Sequence, residues 1–385
     1  MDQDKFNGSN YDDRELRAML SEQVQEQMQE NERGDGFVKA RQEVAATRTR
    51  KGKKKRTGLK VFLGILLVFI VVIGFFVATK PGRKAIYTMA GNYIYDKLER
   101  NEEASSFMDQ HNQGDTVGRK EAGIANYLLF GIEEINGARN TDSMMIATVN
   151  SKEGSIKITS LMRDSYVSVP GWKSTKLNAA YAKGGASLLI QTIEENFKIH
   201  IDGYAHVNFE SFEKIVDTLG GVTIELGKKE AKYLNRTNYI SNPEYRNVVA
   251  GENVLNGNQL LGYCRVRKVE TLGGANNDYG RTVRHRRAMS AIFDQFKSLN
   301  ILSMFSKANE CMGYVTTSLT SDQIKQMIEV IIENKISSIE TLRLPVDGMF
   351  DDPKSYQGTT YPLVYDWDKN ISELYKFIYG EETAE

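Results

Sequence analysis

Three short apolar segments follow one another in the middle of the chain and decide the fold class. They are 126–132 (NYLLFGI), 143–149 (SMMIATV) and 155–161 (SIKITSL). Their length and apolar character are typical of strands in a buried sheet. The third segment alternates apolar and polar residues, so one of its faces is expected to be wetter. A sheet is therefore predicted from this part of the chain.

The remaining segments mix strand and helix patterns. Strands are predicted at 205–208, 222–226, around Cys264 and at 340–344, and helices at 186–197, 209–219, 256–262, 281–299, 321–334 and 371–379. The glycine pairs at 184–185 and 220–221 are interpreted as helix ends. Strands and helices mixed in this order predict an α/β fold with a layered sheet domain.

A long apolar segment precedes this domain. Residues 59–79 read LKVFLGILLVFIVVIGFFVAT, with no charged residue from 61 to 78, which is enough to cross a bilayer as a helix. More basic residues precede the segment than follow it, so the positive-inside rule places the N-terminus in the cytoplasm. A cleaved signal peptide is disfavoured, because the segment is long and many residues precede it. We predict a single-pass protein of the cell membrane, with a transmembrane helix at 58–79 and an extracellular domain.

The flanking regions are assigned from composition. Residues 1–57 form a cytoplasmic tail, largely disordered, in which a four-residue apolar spacing at 16–28 indicates either a partner helix or a solvated one. Its basic end, 51–56, is expected to lie on anionic headgroups. Residues 80–122 are predicted to be an extracellular stalk, 123–300 a catalytic domain, and 301–385 the C-terminal α/β completion of that domain.

An arginine cluster indicates the chemistry. Six arginines fall within the 23 residues from 265 to 287, although the formal net charge of the chain is zero. A guanidinium group is always charged, and its planar fork suits phosphate. Arg265 and Arg267, two apart on a predicted strand, would share a face, while Arg281, Arg284 and His285 would share one side of a helix. The alternative is pairing with surface carboxylates.

Several other functions are excluded or disfavoured. Nucleic acid is not an expected partner, because the cluster lies outside the cell and lacks interleaved aromatic residues. The sequence contains no P-loop, no Gly-x-Ser-x-Gly and no His-Glu-x-x-His motif. The chain has four histidines in total, which argues against a zinc site. Of its two cysteines, Cys264 is expected to be a buried thiol.

Carboxylates at predicted strand ends suggest a cation. Asp142 begins one strand, Glu133 follows another, and Asp278 precedes the helix that carries Arg281. Ligands bind at strand ends in open α/β sheets, and a Mg²⁺ ion on a diphosphate needs only one or two carboxylates. Each carboxylate alone is equally explained as a turn or cap residue.

Nine motifs occur in one order along the chain. They are 128–133 (LLFGIE), 141–146 (TDSMMI), 160–165 (SLMRDS), 176–181 (KLNAAY), 207–210 (VNFE), 219–222 (LGGV), 255–260 (LNGNQL), 263–267 (YCRVR) and 278–281 (DYGR). In these motifs the chain resembles the LytR-CpsA-Psr proteins of Gram-positive cell envelopes over about residues 125–300. The resemblance implies a sheet domain with helices on both faces.

The resemblance also implies an activity. These proteins are thought to transfer a phosphate-linked glycopolymer, such as teichoic acid or a capsular polysaccharide, from an undecaprenyl-diphosphate carrier in the membrane to peptidoglycan. Carried over by motif, the diphosphate contacts and catalytic roles fall on Arg163, Arg265, Arg267 and Arg281. The prenyl chain is expected in an apolar channel.

The cation and the remaining contacts are assigned in the same way. Mg²⁺ (or Mn²⁺) is expected on Asp142, with Glu133 and Asp278 as further ligands, and Lys176 and His285 are expected to contact the lipid head group. Glu133 stands where the family usually has Asp, and His285 where it usually has Gln. A histidine there could donate to phosphate and gain charge in an acidic wall.

Two other functions stay open at this point. One is a non-catalytic transcriptional attenuator or regulator of the envelope that uses the cytoplasmic tail, although no DNA-binding motif is visible there. The other is a wall-binding protein. A requirement for Mg²⁺ and a lipid diphosphate would exclude the wall-binding protein, and deletion of residues 1–57 would abolish the function of a regulator but largely spare a transferase.

Overall fold

The computed structural model of the chain describes residues 79–380 except 97–98, 101, 115–116 and 136–137. The predicted tail and all but the last residue of the predicted transmembrane segment lie outside the described residues. Among the described helices, none combines the length and the apolar composition that a membrane crossing requires.

The first half of the described chain supplies most of the central sheet. Its elements are α1 (Lys80–Tyr95), β1 (Glu99–Arg100), α2 (Glu102–Gln113), β2 (Ile124–Ile135), β3 (Ala138–Asn150), β4 (Ser155–Leu161), β5 (Tyr166–Val167), β6 (Thr175–Lys176), α3 (Asn178–Phe197) and β7 (Gly203–Asn208). The three apolar segments at 126–132, 143–149 and 155–161 lie in β2, β3 and β4, so their prediction as strands is confirmed.

The second half adds helices and short strands. Its elements are α4 (Phe209–Thr218), β8 (Val222–Leu226), α5 (Lys228–Arg236), a 3-10 turn (Pro243–Tyr245), β9 (Gly251–Leu255), α6 (Gly257–Arg265), α7 (Asn277–Ser298), α8 (Ile301–Met312), β10 (Thr316–Thr317), α9 (Ser321–Glu333), β11 (Glu340–Leu344), β12 (Phe350–Asp351), β13 (Ser355–Tyr356), β14 (Thr359–Thr360), β15 (Val364–Tyr365) and α10 (Trp367–Tyr379). Residues after 300 contribute β10 and β11 to the central sheet.

The central sheet has seven strands in the order β1-β10-β7-β2-β3-β4-β11. β3 is antiparallel to both of its neighbours, while β7 is parallel to β2 and β11 is parallel to β4. These directions bring the C-terminal ends of β2, β4, β7 and β11 to one edge of the sheet, beside the start of β3. We call this the C-terminal edge.

Helices cover both faces of this sheet. Leu128 of β2 packs in a core cluster with Leu189 of α3 and Leu374 of α10. Its neighbour Tyr127 points to the opposite face and packs with Val330 of α9. The alternation along β2 is what a strand with two buried faces requires.

A third cluster extends the domain beyond the sheet. It joins the β8–β9 hairpin, α4, α5, α6 and α7 through residues that include Val216, Val222, Leu234, Leu260, Tyr263 and Ala288. Helix α7 therefore bridges the sheet and this outer layer, because Phe293 of the same helix packs against the cluster on the α9 face.

Residues 80–122 do not form the predicted stalk. The Tyr87 side chain of α1 is buried, and its hydroxyl donates to Glu333 Oε1 of α9 at 2.8 Å. β1 pairs in parallel with β10 in the central sheet, and Met108 of α2 lies in the core cluster of α3. The prediction was wrong because the residues of this segment that contact the domain are few and widely spaced, which hides their periodicity.

The predicted strand around Cys264 is also wrong, because this stretch is the last turn of α6. Asn256 Oδ1 accepts from the backbone N–H of Gln259 at 2.9 Å, and Gln259 Oε1 accepts from the backbone N–H of Asn256 at 3.0 Å. This reciprocal capping box starts a helix. Tyr263 and Cys264 then fall on its buried face, where burial raises the pKa of the Cys264 thiol to about 12. The buried-thiol prediction is confirmed.

Arg284 is a buried structural residue. Neither its side chain nor that of Glu230 in α5 is exposed, and Arg284 Nε donates to Glu230 Oε1 at 2.9 Å. Its two terminal nitrogens donate to the backbone carbonyls of Val266 and Val269 at 3.0 and 2.9 Å. The donors of Arg284 are therefore used inside the protein, and it holds α7, α5 and the chain after α6 together.

We expect Arg284→Ala to lower the free energy of unfolding by about 3–5 kcal/mol, because it leaves Glu230 as a buried charge without a partner. Urea unfolding followed by circular dichroism measures the change. Lys229→Ala is the matched control, because the Lys229–Glu270 pair is exposed and its loss should cost less than about 1 kcal/mol. Equal effects in the two variants would contradict the structural role of Arg284.

Candidate functional site

The C-terminal edge gathers charged side chains from separate parts of the chain. Glu133 lies near the end of β2, Asp142 near the start of β3, and Arg163 two residues beyond β4. The first turn of α7 adds Asp278 and Arg281. The antiparallel β2–β3–β4 arrangement brings the first three together, although 21 residues separate Asp142 from Arg163.

Asp142 joins two arginines. Arg163 Nη1 donates to Asp142 Oδ1 at 2.8 Å, and Arg281 Nη1 lies 3.6 Å from Asp142 Oδ2. Burial acts to raise the pKa of Asp142, but the charges of Arg281 and Arg163 outweigh burial, and the pKa is lowered. Asp142 is therefore ionised at neutral pH.

Asp278 joins three arginines. Its Oδ1 lies 2.8 Å from Arg267 Nε and 3.1 Å from Arg281 Nη2, and its Oδ2 lies 3.6 Å from Arg163 Nη2. One carboxylate thus holds guanidinium groups from three segments of the chain. Without it, their mutual repulsion would oppose the arrangement.

The loop before α7 fixes Asp278 in place. Thr271 Oγ1 accepts from the backbone N–H of Ala275 at 3.1 Å, and the Ala275 carbonyl accepts from Thr271 N at 2.8 Å. A side chain at Gly280 would place its Cβ 2.7 Å from the Ala275 carbonyl oxygen. Only glycine therefore allows the loop to pack against the first turn of α7.

Glu133 differs from the other carboxylates. Arg265 Nη2 donates to Glu133 Oε1 at 3.3 Å. Burial raises the pKa of Glu133, and a hydrogen bond with Asp142 and the charge of Asp142 raise it further. Glu133 and Asp142 thus form a carboxyl pair in which Glu133 retains a proton more readily.

Lys176 and Asp164 complete the cluster. Lys176 Nζ of β6 lies 2.8 Å from Asp164 Oδ1, and Arg163 Nε lies 3.5 Å from Asp164 Oδ2. Burial acts to raise the pKa of Asp164, but the hydrogen bond from Lys176 outweighs it and the pKa is lowered. Five cationic and four carboxyl side chains alternate in space at this edge.

An apolar cavity of about 450 Å³ opens beside the charges. Its wall is formed by β2, β3 and β7 and by residues of α4, α6 and α7, among them Leu129, Met145, Phe212, Leu261, Met289 and Ile292. Its polar lining includes Glu133, Asp142, Arg265, Arg267 and Arg281. The site therefore combines a charged end with an apolar chamber.

The four predicted arginines differ in exposure. The side chain of Arg281 is 8% exposed and that of Arg163 is 19% exposed, whereas Arg265 and Arg267 are 41% and 43% exposed. The Arg265 guanidinium lies 4.8 Å from the centre of the Phe209 ring. Two arginines are thus fixed in the floor of the site, and two lie at its rim.

His285 lines the cavity but is not available as a cation. Its Nε2 lies 3.0 Å from the Cys264 carbonyl oxygen. Burial, together with the charge of Arg281, lowers the pKa of His285 to about 3. The expectation that His285 gains charge in an acidic wall is therefore wrong.

The remaining arginines of the sequence cluster lie elsewhere. Arg286 and Arg287 line a groove of about 710 Å³ between α7, β8 and β11, together with Glu225 and Asp294. This groove contains neither the carboxylates of the C-terminal edge nor its arginines. The smaller cavity is therefore the candidate functional site.

The residues present fit a hard divalent cation. Asp142 and Glu133 both line the cavity at the C-terminal edge, and burial together with the nearby Asp142 raises the pKa of Glu133, so two carboxyl groups are available at one place. Oxygen ligands suit Mg²⁺, which keeps several of its waters. Asp278 is engaged by three arginines, which makes it a weaker candidate ligand than Asp142.

Sequence reasoning did not identify the cavity wall. Met289 and Ile292 line the cavity, whereas Phe293, one residue further along α7, packs in the core of the α9 face. All three belong to the same apolar stripe in the sequence, so periodicity alone does not separate them. Phe209, whose ring lies against Arg265, falls in the 207–210 motif, but the sequence predicts no role for its ring.

The chain matches the model of the LytR_cpsA_psr family over residues 86–370. The match is wider than the 125–300 that the sequence motifs span, and it includes most of α1. This agrees with the packing of α1 and α2 on the domain.

Curated relatives share most of this length. The polyisoprenyl-teichoic acid–peptidoglycan teichoic acid transferase TagU of Oceanobacillus iheyensis is 28% identical over 337 residues, which is 85% of this chain and 96% of TagU. TagU of Bacillus mycoides is 33% identical over 242 residues, 62% of this chain and 73% of that protein. A solved structure of TagT bound to LIIa-WTA is 25% identical, with a TM-score of 0.54, and covers 70% of this chain and 97% of TagT.

We expect Ile292→Trp to block the cavity, because an indole in place of a sec-butyl group fills space that a ligand's apolar tail would occupy. The wild-type full-length protein should retain a long-chain anionic lipid through purification, and the variant should lose most of it. Mass spectrometry of the extracted lipid measures this. Ile332→Trp, on the exposed side of α9, is the matched control, and equal lipid in all three proteins would contradict the assignment.

Proposed function

The chain belongs to the LytR-CpsA-Psr family, and we propose that it transfers a phosphate-linked wall glycopolymer of the teichoic acid class from an undecaprenyl-diphosphate carrier to peptidoglycan. One observation carries this proposal: the arginine–carboxylate cluster lies at the mouth of an apolar cavity. A polyprenyl diphosphate matches these two parts of the site, because it has an anionic head and a long apolar tail. The names of the relatives support the choice of substrate and acceptor.

The arginines have separate tasks in this proposal. Arg163 and Arg281 are held in the floor of the site by Asp142 and Asp278, so they need little reorganisation when phosphate arrives. Arg265 and Arg267 are more exposed and pair with Glu133 and Asp278 at the rim, and these are the pairs that an incoming phosphate would replace. Donors fixed in advance are what stabilises charge that develops during a reaction.

The transfer itself breaks one phosphoanhydride bond. A hydroxyl oxygen of the peptidoglycan acceptor attacks the phosphorus that carries the glycopolymer, and a phosphodiester forms as the bond to the lipid phosphate breaks. The hydroxyl proton is released, and undecaprenyl phosphate leaves. Negative charge grows on the leaving phosphate, where the guanidinium groups of Arg265, Arg267 and Arg281 stabilise it.

We include a Mg²⁺ (or Mn²⁺) requirement in the proposal. Asp142 and Glu133 are the residues that would hold the ion, with Asp278 next to them. The bound ion would neutralise charge on the diphosphate oxygens. Only the carboxylate form of Glu133 is a good ligand, so binding of the ion would compete with protonation of this side chain.

Membrane attachment is the remaining part of the proposal. The apolar segment at 58–79 would anchor the chain and place the domain on the outer side, where both the lipid carrier and peptidoglycan are found. The support is the length of the segment and the charge difference across it.

We expect Arg265→Ala to reduce transfer of polymer to peptidoglycan by about 10²–10³-fold, because one donor to the developing charge is lost. Arg265→Lys should recover only part of the activity, because an ammonium group has no bidentate fork. The measurement is the rate of polymer transfer from a synthetic lipid-linked substrate to isolated peptidoglycan by the full-length protein.

Two controls accompany this test. Arg236→Ala, at the end of α5 and away from the site, should leave the rate unchanged. Deletion of residues 1–57 should also leave most of the activity, whereas a regulator that acts through the tail would lose its function. Full transfer by the Arg265→Ala variant would contradict the proposed role of the site.

We expect Asp142→Asn to raise the Mg²⁺ concentration needed for half-maximal transfer by at least about tenfold, because an amide is a weaker and uncharged ligand. Chelation with EDTA should abolish wild-type transfer, and added Mg²⁺ should restore it. Unchanged transfer in EDTA would remove the metal from the proposal and leave the arginine mechanism intact.

A further inference from the structure

A second polar cluster lies at the edge of the sheet opposite to the candidate site. Glu194 is in the last turn of α3, His200 precedes β7, and His111 is in the last turn of α2. Glu194 and His200 are almost fully buried, while His111 is 14% exposed. The few histidines of the chain argued against a zinc site, but folding brings two of the four together.

The three side chains converge on one point. His111 Nε2 lies 2.9 Å and His200 Nδ1 lies 3.0 Å from the same oxygen, Glu194 Oε1. One donor atom from each of the three residues lies within 4.8 Å of the others. In a tetrahedral zinc site the ligand atoms are separated by roughly 3.4 Å, as follows from bond lengths near 2.1 Å. Both histidine nitrogens lie closer than this to Glu194 Oε1, so a modest separation of these atoms would admit an ion.

Hydrogen bonds among the described residues satisfy only part of this cluster. Glu194 Oε1 accepts from the backbone N–H of Ile201 at 2.7 Å and lies 2.9 Å from His111 Nε2. The other oxygen, Glu194 Oε2, is buried without a hydrogen-bond partner among the described residues. A buried carboxylate oxygen without a partner is costly, and a cation would remove that cost.

The orientation of His200 is fixed by contacts to its other nitrogen. Asn112 donates from Nδ2 to the Asp202 carbonyl at 3.1 Å, which orients its Oδ1 toward His200 Nε2 at 2.9 Å. Lys120 Nζ and Asp202 Oδ1 lie near the same nitrogen, at 3.2 and 3.7 Å. His200 Nδ1 faces Glu194 Oε1 at 3.0 Å but makes no hydrogen bond among the described residues. The ring is therefore held with Nδ1 toward the carboxylate, where a cation would meet both.

We propose that His111, Glu194 and His200 form a zinc-binding site that is separate from the diphosphate site. Two imidazole nitrogens and one carboxylate oxygen are a ligand set that zinc takes in proteins, with water in the remaining position. The Asn112 amide is the outer partner that orients His200, as ligating histidines require.

The site fastens α2 to the rest of the domain. His111 comes from α2, whereas Glu194 and His200 flank the turn between α3 and β7. Helix α2 otherwise reaches the core mainly through Met108, with Phe107 packed beside it. Zinc binding therefore stabilises the attachment of the N-terminal helices and has no part in the transfer chemistry.

The test is zinc binding by the full-length protein. Metal-free wild type should take up one Zn²⁺ per chain, measured by plasma mass spectrometry and titration calorimetry, and its melting temperature should rise on binding. His111→Ala should weaken binding by at least about 100-fold, since it removes a direct ligand. Asn112→Ala keeps all three donors and should weaken it by about 10–100-fold.

Matched controls show whether zinc binds at these three residues or elsewhere on the chain. Glu195→Gln changes an exposed carboxylate next to Glu194, and Asp142→Asn changes the other candidate cation site; both should bind zinc as the wild type does. His111→Gln replaces His111→Ala if the latter does not fold. Absence of stoichiometric zinc, or equal affinity in wild type and the His111 variants, would overturn the proposal.

Discussion

Alternation of opposite charges at the C-terminal edge is the constraint on which the structure depends. Arg163, Arg267 and Arg281 converge on Asp278 from three segments of the chain. Guanidinium groups so close together repel one another unless carboxylates lie between them. The β2–β3–β4 meander supplies Asp142 and Glu133, and α7 supplies Asp278, so the sheet and this helix must meet at one geometry. The capping box at the start of α6 and the glycine in the first turn of α7 help to hold this geometry.

Much of the fold could be predicted from the sequence where a segment has one dominant pattern. β4 was predicted at its observed bounds, because its residues alternate in polarity, but the expectation of one wetter face is wrong, since residues 157–161 are all buried. The turn at 263–265 was misassigned because Tyr263 and Cys264 are apolar neighbours, and the capping box that makes them helical lies upstream at Asn256. Residues 80–122 were misassigned because their contacts with the domain are long-range and leave no local period.

The charged part of the site could be predicted better than its apolar part. The predicted arginines and carboxylates could be recognised because they fall within the sequence motifs. The structure brings these side chains together at the C-terminal edge. The cavity is different, since Met289 and Ile292 resemble any apolar helix face. His285 shows a third limit, because its charge state depends on burial that no sequence displays. The His111–Glu194–His200 cluster is likewise assembled only by the fold.

The carboxylates that hold the rim arginines also compete with an incoming phosphate for these arginines. Arg265 reaches Glu133 at 3.3 Å, and Arg267 reaches Asp278 at 2.8 Å, so an incoming phosphate gains an ion pair only by displacing one that already exists. The net free energy of phosphate binding is then the difference between the ion pairs gained and the ion pairs lost. A monoanion is therefore disfavoured relative to a diphosphate, which engages several arginines at once. Such a site discriminates by ligand valence, and it releases a product that carries one phosphate more readily than a substrate that carries two.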